Sequence, residues 1–104
     1  MERYCCASVA FGLLQSAIAD PNPVVFVENK TLYFRREDFR EEEIPLGRAR
    51  IVRRGRAVTI VATSRMVGEA LRAAEHVDAE IIDPRTLVPL DLDTILASVA
   101  RTNR

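Results

Sequence analysis

A chain of 104 residues is long enough for one compact domain, and 48% hydrophobic with 29% charged residues is an ordinary globular composition. The net charge is zero, so the chain as a whole has no charge that would attract nucleic acid or an anionic membrane. No apolar run is long enough to cross a bilayer, and no signal-peptide pattern opens the sequence. We therefore expect neither nucleic acid nor a membrane as a partner.

The two cysteines are adjacent, at Cys5 and Cys6, a spacing that strains a disulfide, and no histidine lies near them. We expect two reduced thiols and no zinc site. Arginine supplies the basic side almost alone, since Lys30 is the single lysine. We expect the arginines between residues 48 and 56 to face solvent or to pair with the acidic run 37–43, rather than to bind nucleic acid.

The first element is a predicted amphipathic helix over residues 8–19, because apolar residues recur there with helical spacing. Its expected buried face consists of Ala10, Leu13, Leu14, Ala17 and Ile18. After a proline-rich turn, the continuous apolar run 24–28 predicts a buried parallel strand. Residues 30–46 are charged and show no period, which is typical of a surface segment and a linker.

The turn between helix and strand contains Asp20, Pro21, Asn22 and Pro23. Its two polar side chains and the free carbonyls at the helix end place several hard oxygens within a few residues, a set that suits a hard cation. The same residues also form an ordinary helix-ending turn, because Asp and Asn bond locally and proline cannot continue a helix. Both interpretations remain open from these residues alone.

The second half alternates strands and helices. Strands at 48–53 and 58–62 flank Gly55 and predict a hairpin. Ser64 is positioned to cap a helix whose apolar face is Val67, Ala70, Leu71 and Ala74, and a strand follows at 79–83. A last helix begins at Asp91, with a predicted buried stripe of Leu92, Ile95, Leu96, Val99 and Ala100. This order indicates half of a doubly wound α/β domain, and an incomplete sheet is expected to expose Val58, Ile60 and Ile81.

Five separated motifs support a family resemblance: GLLQSAIADPNPVVFVENKTLY, IPLGRARIVRRG, VTIVATSRMVGEALRAAE, IIDPRTLVPLD and TILASVARTN. Over residues 11–104 the chain resembles the beta subunit of thiamine-diphosphate-dependent 2-oxo-acid dehydrogenases. The resemblance implies that residues 1–46 are the end of a pyrimidine-binding domain with its linker, and that 47–104 are the first half of a transketolase C-terminal-like domain. Beta subunits of this family are much longer, so we expect an internal piece of a larger subunit.

The activity that the resemblance implies is oxidative decarboxylation of a 2-oxo acid, with acyl transfer to a lipoyl domain. Glu28-Asn29 favours pyruvate-type members, while branched-chain and acetoin dehydrogenases remain alternatives. A non-catalytic α/β interaction module is the alternative from another class. The implied partners are an alpha subunit, a second beta subunit and the lipoyl acyltransferase core, in the cytoplasm of a bacterium. Thiamine diphosphate and Mg²⁺ would be held by the full assembly rather than by this chain.

Site residues are implied only in part. The family's catalytic glutamate and histidine precede the matched motifs, so no catalytic or cofactor-binding residue is assigned, and the chain alone is expected to be inactive. His76 matches no catalytic motif and is expected to be a solvated residue at a helix end. Potassium is the implied cation at the corner, with Ala17, Ile18, Asp20 and Asn22 as ligands. The family's loop at Asp83–Leu87 leaves Arg85 either paired locally with Asp83 or paired across a subunit interface.

Overall fold

The structure is a computed structural model that describes residues 7–36 and 38–104. The predictions for Cys5, Cys6 and Glu37 lie outside the described residues. Within the described ranges no helix is long and apolar enough to span a membrane. The elements in chain order are α1 (Ala7–Ala19), a 3₁₀ turn (Lys30–Leu32), β1 (Arg50–Arg53), β2 (Val58–Val61), α2 (Arg65–Ala73) with a 3₁₀ turn (Ala74–His76), β3 (Ala79–Asp83) and α3 (Leu92–Thr102).

The three strands form one mixed sheet in the order β1-β3-β2. β1 runs antiparallel to β3, with Ile51 opposite Ile82, and β2 runs parallel to β3, with Ile60 opposite Ile81. The α/β fold class is therefore confirmed, whereas the predicted hairpin between β1 and β2 is wrong, because β3 lies between them.

The segment around Gly55 explains how the chain passes from one outer strand to the other. The backbone N–H groups of Arg56 and Ala57 donate to the carbonyl of Asp78, just before β3 begins. A Cβ atom at Gly55 would lie 2.5 Å from the carbonyl oxygen of Ala79, so only glycine allows this approach. The turn therefore crosses the start of β3 instead of reversing the chain beside β1.

The main core lies between the sheet and α2. Its buried members are Val52, Ala62, Val67, Ala74, Ala79 and Ile81, with Val58, Ile60, Ala70 and Leu71 packed against them. The predicted apolar face of α2 is thus confirmed. The expected exposure of Val58, Ile60 and Ile81 is wrong, because α2 covers the sheet face that carries them.

Helix α3 packs on the opposite face, and its predicted buried stripe is wrong. Leu92, Leu96 and Val99 are 51%, 54% and 39% exposed, while Ser98 and Thr102 are buried. The cause is the alternation of side chains along the strands, which puts Thr59 and Glu80 on the face beneath α3. The Thr59 hydroxyl lies 2.8 Å from the hydroxyls of both Ser98 and Thr102.

Residues 7–46 form a much smaller packed unit. Helix α1 buries Ser8, Val9 and Gly12 instead of the predicted stripe, and Ile18 is 77% exposed. Val9 packs with Ile44 and Leu13, and a Cβ at Gly12 would collide with the carbonyl oxygen of Glu42. The face of α1 is therefore set by the chain segment that ends at Ile44.

The predicted strand at 24–28 is also wrong. Those residues have no regular secondary structure, and Val25 and Val27 are 88% and 85% exposed. A strand is held by hydrogen bonds to a neighbouring strand, and in the described part of the chain the sheet consists of β1, β2 and β3 alone. An apolar run without a partner strand therefore stays irregular here.

Candidate functional site

The corner after α1 brings Asp20 and Asn22 together. The Asp20 N–H donates to the carbonyl of Ser16, which closes the last helical turn. One carboxylate oxygen of Asp20, Oδ1, accepts the backbone N–H of Asn22 at 2.8 Å and its side-chain amide at 3.0 Å. This is the geometry of a turn in which an Asp side chain bonds to the backbone two residues on.

The same corner leaves oxygens available for a cation. The second carboxylate oxygen of Asp20 and the amide oxygen of Asn22 lie outside the two bonds just described. Helix ends also leave the last carbonyls without helical partners, and those of Ala17 and Ile18 belong to that last turn. The donor set is thus all oxygen, with one formal charge, and oxygen donors are the kind that hard cations prefer.

A second candidate is the loop that follows β3, because loops at the carboxyl ends of parallel strands line ligand crevices in α/β folds. Asp83 ends β3 and accepts the backbone N–H of Arg85 at 3.0 Å, so the side chain orders its own loop. Burial raises the pKa of Asp83, and the bond from the Arg85 N–H, followed by the charges of Arg85 and Arg50, offsets only part of that effect. Arg85 has a φ of 60°, the left-handed region, which fixes the direction in which the loop leaves the strand.

Two further side chains tie this loop to the segment before β1. The Thr86 hydroxyl accepts the N–H of Gly47 at 3.0 Å and donates to the carbonyl of Pro89 at 2.8 Å. Asp91 caps α3 by accepting the N–H of Thr94 at 3.1 Å and also accepts the N–H of Ala49 at 2.9 Å. The Ala49 bond is the main cause that lowers the pKa of Asp91, followed by the bonds from Thr94. The loop is therefore a rigid corner of the domain.

The remaining predicted residues have structural or solvated positions. His76 ends the 3₁₀ turn after α2 and is exposed, as expected. Ser64 stands at the N-cap of α2, but its side chain makes no capping bond; its carbonyl accepts the N–H of Val67 at 3.2 Å. From the arginine cluster, Arg53 donates to the carbonyls of Ala74 and Val77, and Arg54 pairs with Glu80 rather than with the acidic run.

Glu80 is the residue that sequence reasoning missed. It is only 1% exposed, on the central strand, and it contacts Arg101 in α3 and Arg54 before β2. The sequence predicts a strand over residues 79–83 and assigns this glutamate no role within it. The signal that could have revealed it is its position between alanine and isoleucine in a strand expected to be covered on both faces, since a buried carboxylate needs partners.

Comparison with known proteins identifies a domain family and several relatives. Residues 47–104 match the family model of the transketolase C-terminal domain. The chain is 50% identical, over 100 aligned positions and 89% of its length, to the "Pyruvate dehydrogenase E1 component subunit beta" of Rickettsia felis. It is 48% identical, over 94% of its length, to the mitochondrial "Pyruvate dehydrogenase E1 component subunit beta-1" of Arabidopsis thaliana. It spans 31% and 30% of those two proteins.

A solved structure is similar as well. A chain described as "Split gene transketolase, inactive beta4 tetramer" superposes with a TM-score of 0.54 at 32% identity, over 59% of this chain and 22% of that one. The sequence and the mixed sheet thus agree with the family match, which accounts for more than half of the residues. The chain belongs to the transketolase C-terminal domain family.

Proposed function

We propose that this chain is part of the beta subunit of a pyruvate-type 2-oxo-acid dehydrogenase, which decarboxylates its substrate oxidatively and passes the acyl group to a lipoyl domain. The observation that carries this proposal is the 50% identity that extends over 89% of the chain. The similarity therefore continues well beyond residues 47–104, into the segment that contains α1 and the Asp20 corner.

The proposed division places the tail of a pyrimidine-binding domain at 1–46 and part of the transketolase C-terminal domain at 47–104. Two separate apolar cores support it, one around Val9 and Ile44 and the other between the sheet and α2. The family model also begins its match at residue 47.

In this proposal the chain supplies scaffold and interface rather than catalytic groups. Thiamine diphosphate and Mg²⁺ would be bound elsewhere in an assembly with an alpha subunit, a second beta subunit and the lipoyl acyltransferase core. A bacterial cytoplasm fits the Rickettsia relative, whereas the Arabidopsis relative is named as mitochondrial. The split-gene transketolase neighbour is described as inactive as a beta tetramer, which fits a chain that needs other subunits.

The isolated chain should therefore show no 2-oxo-acid decarboxylase activity with added thiamine diphosphate and Mg²⁺. The measurement is release of CO₂ from pyruvate by the purified 104-residue protein, with a complete dehydrogenase as the positive control. Turnover by the purified chain alone would contradict the proposed division of labour.

A chimera tests the function directly. Residues 11–104 replace the matching segment of the Rickettsia felis beta subunit, and the chimera is combined with the alpha subunit of that enzyme and with a lipoyl domain, which accepts the acyl group and the two electrons. We expect oxidation of pyruvate well above that of branched-chain 2-oxo acids or acetoin. A folded, assembled chimera without any such activity would favour the non-catalytic interaction module, and a preference for another substrate would reassign the subfamily.

The potassium site is a separate part of the proposal, with the carbonyls of Ala17 and Ile18 and the side chains of Asp20 and Asn22 as ligands. A ligand that binds only the folded state stabilises it, by roughly 2.7 kcal/mol at a hundredfold excess over its dissociation constant. The chimera in complex with its alpha subunit should therefore melt at a higher temperature in potassium than in sodium or choline salts of equal ionic strength.

Asp20→Ala should abolish that potassium dependence, because it removes the one charged ligand. Glu41→Ala is the matched control, an exposed carboxylate on the same half of the chain, and it should leave the dependence intact. Equal melting temperatures in all three salts would mean that the corner is only a turn.

A further inference from the structure

Helix α3 meets the sheet mainly through polar groups, since Ile95 is the one apolar residue of the helix that is even half-buried. Its buried residues are Ser98 and Thr102, while Leu92 and Leu96 are more than half exposed. The sheet face beneath it presents the hydroxyl of Thr59, which lies 2.8 Å from both buried hydroxyls. Helix α2 on the other face is held by a continuous apolar core. The two helices therefore depend on different kinds of interaction.

Glu80 is the centre of the polar attachment. Its carboxylate is 1% exposed and contacts the guanidinium of Arg101, from α3, and that of Arg54, from the connection between β1 and β2, at 3.5 Å. Burial by itself raises the pKa of Glu80, but the bond from the Ser98 hydroxyl and the two guanidinium groups outweigh it and lower the pKa. The carboxylate is therefore charged at neutral pH and joins three segments of the chain.

We propose that the charge of Glu80 holds α3 on the sheet. Loss of this charge releases the helix while the sheet and α2 remain folded. A buried charge pair is costly to break from one side, because the remaining charge is left without its partner. The pair of Glu80 and Arg101 lies on the α3 side of the sheet. On the opposite side the residues that hold α2, among them Val67, Ala74 and Ile81, form an apolar core.

The direction of the acid effect follows from the contacts. A glutamate whose pKa is lower in the folded state stabilises the fold above its ordinary range, and that contribution is lost as the pH falls through the lowered value. The charged groups that face Glu80 are Arg54 and Arg101, and neither loses its proton in the accessible pH range. Acid should therefore act on this cluster through Glu80 alone.

The test is hydrogen exchange of the full 104-residue chain, resolved by peptide with mass spectrometry. The experiment is run below the concentration at which the chain associates. Glu80→Gln keeps the size of the side chain and removes its charge. We expect exchange in residues 92–102 to accelerate at least about tenfold at neutral pH, because the guanidinium groups of Arg54 and Arg101 lose the opposite charge that faces them and keep only a neutral amide. Exchange in α2 and β3 should stay within about twofold of the wild-type rate, because local opening of α3 leaves the rest of the fold protected.

Two further variants keep the test decisive. Glu69→Gln is the matched control, because Glu69 also pairs with two arginines, Arg65 and Arg72, but on the partly exposed surface of α2. It should leave α3 unchanged. Arg101→Gln removes the guanidinium from the helix side and leaves Arg54 in place, so it should accelerate α3 exchange even if Glu80→Gln does not fold.

An acid series completes the experiment, with rates corrected for the intrinsic pH dependence of exchange. In the wild type, α3 should lose protection before α2 as the pH falls, and Glu80→Gln should reduce that difference. The part that remains belongs to Asp91, whose pKa is lowered by its bonds to Ala49 and to Thr94 at the start of α3. Equal acceleration of hydrogen exchange in α2, β3 and α3 in either variant would overturn the proposal, since it would mean global unfolding. Unchanged α3 exchange in both variants would overturn it as well.

Discussion

Two apolar runs of this chain are closely similar in sequence and opposite in structure. Val24–Val27 reads Val-Val-Phe-Val and is irregular and largely exposed, whereas Val58–Val61 reads Val-Thr-Ile-Val and is strand β2. The difference is a partner: β2 pairs with β3 over four residues, and its inward side chains rest on the core beneath α2. Strand propensity therefore becomes a strand only where a neighbouring strand satisfies the backbone and a helix covers one face.

The comparison is most strongly tested by truncating one apolar side chain in each region. Ile81→Ala removes a fully buried side chain from the central strand and should cost about 2–5 kcal/mol of unfolding free energy. Val25→Ala, at a position 88% exposed, should change it by less than about 0.5 kcal/mol. Urea denaturation of both variants measures the two costs. Similar costs would mean that residues 24–28 are packed in solution and that the contrast between the regions is false.

Helix caps provide a second, smaller contrast. Asp91 caps α3 and also holds Ala49, whereas Asn29 caps only a 3₁₀ turn by accepting the N–H of Thr31 at 3.1 Å. Asp91→Ala should lower the melting temperature by several degrees, because it frees backbone donors in two segments. Asn29→Ala should leave the transition almost unchanged. Calorimetry measures the melting temperatures of both variants. An equal or larger decrease for Asn29→Ala would contradict the smaller contribution to stability expected from the cap at Asn29.

The smallest effect concerns Asp83 and its dependence on pH. Because burial raises the pKa of this carboxyl, its charged form is disfavoured in the folded state, so stability rises as the pH falls through the raised value. Asp83→Asn keeps the acceptor for the Arg85 N–H and removes the buried charge. It should therefore increase stability at pH 7 and leave a smaller gain in stability at a second, acidic pH. Denaturation midpoints at both pH values check this, and a loss of stability at pH 7 would show that the charge is needed.

The sequence predicted the elements of residues 47–104 well, because each is short, periodic and bounded by turn residues. Helix α2 lies on the predicted face, and β3 ends at Asp83 as expected, immediately before Pro84. The hairpin prediction failed because a turn at Gly55 allows the chain either to reverse direction beside β1 or to cross to the other side of β3. Only the partner segment at Asp78–Ala79 distinguishes the two, and that is a contact between residues far apart in sequence.

The buried face of a helix was harder to predict than the positions of the helices and strands in the sequence. Hydrophobicity selected Leu92 and Leu96 for burial, but the sheet beneath α3 presents Thr59 and Glu80, so Ser98 and Thr102 face inward. The orientation of a helix depends on the surface it meets, and that surface is built from other parts of the chain. At the Asp20 corner the sequence predicted the local bonds of a turn, which the structure contains, while cation binding there stays a prediction.

The end of α3 affects how this protein is best extended in the laboratory. Asn103 adopts the left-handed conformation, and the carbonyl of Arg104 accepts the N–H of Thr59 at 2.8 Å, on the edge of β2 that faces away from β3. Polypeptide fused to Arg104 therefore starts beside an outer strand instead of in open solvent. A tag of extended, β-branched residues there would be delivered to that edge, whereas a flexible glycine-serine spacer would separate it from the sheet.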